Sequence, residues 1–60
     1  MPIITLTMSP LDVEKKRLLA QGFTKTAAEI TKIPEEKFIV IFDEKSRESI
    51  SVGGKLLADQ

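Results

Sequence analysis

The groups in this chain that could do chemistry at neutral pH are few. There is no cysteine and no histidine. That removes Ser–His–Asp and Cys–His nucleophilic schemes and imidazole acid–base catalysis, and it makes a zinc site improbable. What remains lies at the very start, in "MPIITLT". Initiator methionine is generally removed when the second residue is small, and Pro2 would then carry a free secondary amine at the head of a strand. An α-amino group titrates near about 7.7–8.0, and partial burial or a neighbouring cation lowers that value by disfavouring the charged form. Neutral Pro2 would be a general base, and its conjugate acid could return the proton. The ring also restrains the nitrogen, which suits moving a proton between carbon and oxygen across an enol. Against this stands plain punctuation: proline has no N–H and a fixed φ, and it is tolerated as the first residue of an edge strand.

The other motifs read as structure. "VGGKLL" has a Gly–Lys pair without the spacing or the following Ser/Thr of a phosphate loop. "DEKSRE" lacks calcium-loop spacing and its glycine, and it reads as a solvated loop. "EKKR", residues 14–17, is a basic run on the first helical turns. With nine basic residues balancing nine acidic ones, it reads as a solvated face, with phosphate binding as the lesser alternative.

The elements that must position Pro2 follow from periodicity. In residues 2–8, Ile4, Leu6 and Met8 alternate with Ile3, Thr5 and Thr7, which is a strand pattern. "SPLD" turns the chain, and Asp12 is placed to cap a helix. From Val13 to about Lys32, Leu19, Phe23, Ala27 and Ile30 share one helical face, with Ala20 and Thr26 widening it. Gly22 inside the helix costs about 1 kcal/mol relative to alanine, for close packing on the sheet or by simple tolerance. Pro34 ends the helical segment and can open a short turn. Phe38 to Phe42 form an unbroken apolar run, as in parallel strands buried on both faces. Strand, helix, strand is a β-α-β unit with a right-handed crossover expected. Gly53-Gly54 predicts a tight hairpin or a bend with positive φ in a tail expected to pack on a neighbouring subunit.

Sixty residues make a single domain, residues 1–60, at the small end of what folds alone. With no disulfide or zinc to staple it, association is the remaining route to stability. The second strand leads to the same expectation. One helix covers one sheet face, so either Phe38, Val40 and Phe42 or Ile39 and Ile41 would face water in a monomer. A homo-oligomer is expected. No secretory leader pattern is visible and no apolar run approaches the roughly 20 residues of a membrane span, so the expected location is cytoplasmic, with neither nucleic acid nor membrane as partner.

The Met-Pro start with "IITLTM", then "LDVEKKRLL", "FIVIFDE" and "SVGGKLLAD", together resemble the 4-oxalocrotonate tautomerase family, nearest its DmpI-type branch. The resemblance covers essentially the whole chain, with Pro2 and "VGGK" as its specific parts. It implies an α+β fold: a β-α-β unit with parallel strands and a short C-terminal hairpin, assembled as a hexamer that is a trimer of dimers. It implies a cofactor-free isomerase acting on a small enolisable carbonyl compound, with processed Pro2 as general base. The best-known members hold substrate carboxylates with two arginines. Here the loop "MSPLD" has none, and Ile39 stands where the strand arginine is expected. Ile50 aligns with the family's aromatic wall near the C-terminal turn. Lys37, two residues before Ile39 on the same strand face, and Arg47, in the following loop, are the candidate cations; each is also readable as a solvated surface charge. The rival reading is an oligomer of this shape with a binding or structural role and no useful tautomerase activity.

Overall fold

The computed structural model describes residues 1–60. Strand β1 spans Ile3–Met8, helix α1 Val13–Thr31 and strand β2 Ile39–Glu44; two short strands follow, β3 (Ser51–Val52) and β4 (Lys55–Leu56). Asp12 caps α1 as its position predicts: its Oδ1 accepts the N–H of Lys15 at 2.9 Å. The helix ends one residue before the expected boundary, where Lys32 turns into the left-handed region with φ 65°. Pro34 then opens a single 3-10 turn, Glu35–Lys37, so β2 begins at Ile39 and not at Lys37. Gly53 and Gly54 have φ of 62° and 84°, the positive values that a two-residue primed hairpin needs, and they join β3 to β4.

β1 and β2 pair in parallel, with Ile3 opposite Ile39, Thr5 opposite Ile41 and Thr7 opposite Asp43. Ile4, Leu6 and Met8 with Val40 and Phe42 form the half-buried face, and Ile3, Thr5, Thr7, Ile39 and Ile41 form the exposed one. Of the two apolar sets of β2, the odd-numbered pair, Ile39 and Ile41, is therefore the one left bare. On α1 the half-buried stripe runs through Lys16, Leu19, Ala20, Phe23, Thr24, Ala27 and Ala28. Ile30 and Thr26, expected on that stripe, are exposed; Ile30 retains 76% of its accessible surface. Length explains Ile30: a helix of 19 residues is about 28 Å long, whereas six-residue strands reach about 20 Å, so the last helical turns pass the end of the sheet. Gly22 is exposed, and a Cβ there would meet nothing within 4 Å, so it serves no close packing within the chain.

None of the 60 residues is fully buried. The accessible surface is 4665 Å², where a folded monomer of this mass would expose about 3,900 Å². The radius of gyration is 14.7 Å, against about 10 Å for a compact chain of this length. The surplus of roughly 750 Å² is close to what one partner contributes to a standard interface. The hydrophobic effect is thus only partly spent within one chain.

At the far end of the sheet from Pro2, one carboxylate ties the helix to β2. Glu44 accepts the Leu11 N–H at 3.0 Å on one oxygen and the Lys16 ammonium at 2.5 Å on the other. Lys16, expected on a solvated face, is thus a partner of the sheet. The bond from Lys16 and then that from Leu11 hold the Glu44 carboxyl below its ordinary value of 4.5. A carboxyl depressed in the folded state binds fewer protons there than in the unfolded chain, so its stabilisation is full above the unfolded value and fades as pH falls through the folded one. Urea unfolding at fixed protein concentration should find Glu44→Gln less stable than the parent at pH 7, with the gap closing as pH drops below 4.5. A gap that does not change with pH would mean that ionisation is not the cause.

Candidate functional site

Pro2 sits immediately before β1 and is half-buried, while Met1 projects beyond it with 86% of its surface exposed. The Pro2 carbonyl accepts the N–H of Ile39 at 3.0 Å, extending the β1–β2 ladder by one bond. That bond needs only the proline carbonyl, so the missing proline N–H costs the sheet nothing and the nitrogen is left out of the ladder. Pro2 and Ile39 are brought together by strand register, 37 positions apart in sequence. Ile39 presents its side chain to the bare sheet face and is 36% exposed.

Lys37 does not extend the strand face of Ile39. It closes the 3-10 turn Glu35–Lys37, its N–H donating to the Pro34 carbonyl at 3.0 Å, and its exposed side chain makes no salt bridge. Phe38, between them, is extended and half-buried. Lys37 therefore stays at the Pro2 end of the sheet, on a turn whose other two members, Glu35 and Glu36, are exposed acids.

Arg47 and Ile50 lie in the segment that leaves the opposite end of β2. Arg47 starts a 3-10 turn, Arg47–Ser49, and its Nη2 donates to the Leu57 carbonyl at 2.5 Å. The Leu57 N–H in turn donates to the Ile50 carbonyl at 2.8 Å, and Ile50 is half-buried. Within one chain the guanidinium and Ile50 thus hold down the C-terminal segment. The tail expected to depend on a neighbouring subunit is anchored first to its own chain, while Val52 and Leu56 remain exposed.

Neither groove of the single chain includes Pro2. One is apolar, lined by Met8, Leu11, Leu18 and Leu19 with Lys15; the other lies at the end of α1, between Lys25, Lys32 and Glu35. No three acidic side chains are grouped to hold a metal ion. What one chain offers is a nitrogen at a strand head, an apolar neighbour and an unpaired lysine on the next turn. Two features escaped the sequence reading: the Lys16–Glu44 contact and the bond from Ile39 to Pro2. No local signal announces either, because both depend on how β2 is registered against β1. For Arg47, amide exchange is the direct measurement: Arg47→Gln should speed exchange at Leu57 several-fold, since a hydrogen bond from a charged donor is lost. Unchanged exchange would show that the guanidinium does not hold the tail.

Comparison with known proteins adds three findings. The model of a family described as tautomerase enzyme matches residues 2–60. A probable tautomerase of Bacillus cereus is 38% identical over 61 residues, with all of both chains covered. Among solved structures, YwhB, a homologue of 4-oxalocrotonate tautomerase, superposes with a TM-score of 0.90 at 33% identity, covering 98% of each chain. DmpI from Archaeoglobus fulgidus superposes with a TM-score of 0.86 at 36% identity, covering 97% of this chain and all of its own.

Proposed function

The chain belongs to the tautomerase family, and we propose that it interconverts the enol and keto forms of a small carbonyl compound, with Pro2 as general base. Met1 is removed to free the amine. The neutral nitrogen accepts the enol O–H proton as the C=O bond forms and the C=C electrons move toward carbon. The resulting ammonium delivers a proton to that carbon, so the base is regenerated and no cofactor is consumed. The observation that carries this reading is the Ile39–Pro2 bond: it fixes the proline through its carbonyl and leaves the nitrogen uncommitted.

In this reading the working particle is a homo-oligomer, most simply the hexamer that the family resemblance implies. The bare face of Ile3, Ile39 and Ile41 and the surplus accessible surface support association. The face adjoins Pro2, so a second copy would finish the site as well as the core. In sedimentation or native mass spectrometry, several chains per particle are expected, most simply six. A stable monomer at micromolar concentration would overturn the assembly.

Half-burial of Pro2, deepened by association, disfavours its ammonium, and Lys37 acts in the same direction. Glu35 and Glu36 oppose this, but both are exposed and screened by water. kcat/KM for ketonisation should therefore rise with pH through one ionisation lying below about 7.7. Pro2→Ala retains a primary amine at the same place and should weaken catalysis without abolishing it. Chains shown by intact mass to keep Met1, or alkylated on the proline nitrogen, should be inactive yet assembled. Full activity in Met1-retaining chains would refute the mechanism and leave Pro2 as the head of a strand only.

A further inference from the structure

We propose that copies of this chain associate across the bare sheet face with their strands running in the same sense, and that Asp43 of one copy pairs with Lys45 of the next. This deepens the association proposed above and rests on it.

The face is graded along its strands. Nearest Pro2 stand Ile3 and Ile39, directly opposite each other, then Thr5 and Ile41, then Thr7 and Asp43. Exposed isoleucines thus occupy one end. At the other, the Thr7 hydroxyl donates to Asp43 Oδ2 at 3.4 Å, which sets both side chains on this face, whereas Glu44 turns to the helix side and meets Lys16. Asp43 is the one ionisable side chain that β1 and β2 place here. Lys45 continues the ladder past β2, its N–H donating to the Met8 carbonyl at 2.7 Å, and its ammonium lies 3.4 Å from Asp43 Oδ1. From Ile39 to Lys45 the strand runs about 20 Å, apolar at its start and carrying one charge of each sign at its end.

That gradient selects among the ways two such faces can meet. Opposed strands would press Asp43 and Lys45 against the isoleucines of another copy, where both charges lose water and gain no partner. Strands in the same sense lay isoleucine on isoleucine and bring charges of both signs together at the far end. Within one chain the two side chains remain 42% and 46% exposed, so water weakens their own pair. That pair also leaves capacity over, since an ammonium has three donors and a carboxylate several acceptor positions. A neighbouring copy can use what is left. The surplus accessible surface, close to one partner's share of a standard interface, is the area such a contact would cover.

Native mass spectrometry over a dilution series tests this on the parent and on two chains of opposite charge. Asp43→Lys puts two cations at that end of the face and Lys45→Asp puts two acids there, so each alone should need about tenfold more protein to assemble, or more. Co-expressed, they should form particles containing both chains, recognised by mass, at concentrations where neither assembles alone. Mixing cannot restore a pair within one chain, so this rescue reports a contact between copies. Assembly of either variant at the parent's concentration, or the absence of mixed particles, overturns the inference and leaves the parent's association standing. A monomeric parent overturns both. Asp43→Asn adds no charge and nearly keeps the shape, so it serves even where the charge-reversed chains fail to fold: it should weaken assembly several-fold, and unchanged assembly removes Asp43 from the contact.

Discussion

A single helix can cover only one face of a sheet, and most of this structure follows from that restriction. Helix α1 lies on the face built from Ile4, Leu6, Met8, Val40 and Phe42. The alternation of a strand then forces Ile39 and Ile41 outward with Ile3. A chain twice as long could fold a second layer over them. These 60 residues form no second layer over them, and none of their side chains is fully buried. Its β-α-β unit is one half of a core, and the missing half has to come from elsewhere.

On the proposed mechanism, stability and chemistry are joined at one residue. Ile39 belongs to the bare face and, through the bond from its N–H to the Pro2 carbonyl, also sets the position of Pro2. Covering that face would dry the surroundings of the proline, and a drier amine is a more neutral one. On the proposed mechanism, association therefore does two things at once: it completes the apolar packing and brings the base into its working protonation state.

The charged residues divide between structure and availability. At the far end of the sheet, Glu44 joins Leu11 and Lys16 and fixes how the capped start of α1 meets β2. In the C-terminal segment, Arg47 holds the Leu57 carbonyl. Exposed ion pairs such as Lys15–Asp12 and Lys45–Asp43 add little, because water competes for both partners. Lys37, on the turn that leads into β2, makes no ion pair.

Local rules made much of this legible in the residues alone. Alternation in "IITLTM" predicted β1, Asp12 the cap of α1, Pro34 the turn after the helix and Gly53-Gly54 the hairpin, because each depends on neighbours within a few positions. Pro2 was singled out because histidine and cysteine, the side chains that could do acid–base or nucleophilic work near neutral pH, are absent. The two-faced apolar run of β2 announced that one face would lack cover, without saying which. Helix boundaries were near, but Ile30 was misplaced because periodicity knows nothing of where a sheet ends. Lys37 was placed on a strand face because alternation cannot foresee that Pro34 starts a turn reaching to residue 37. Only the tertiary structure decided that Ile39 adjoins Pro2, that Lys16 reaches Glu44 and that Arg47 is occupied by Leu57. Those contacts are set by the register of two strands separated by a helix, and register is a property of the packed sheet that no stretch of the chain contains by itself.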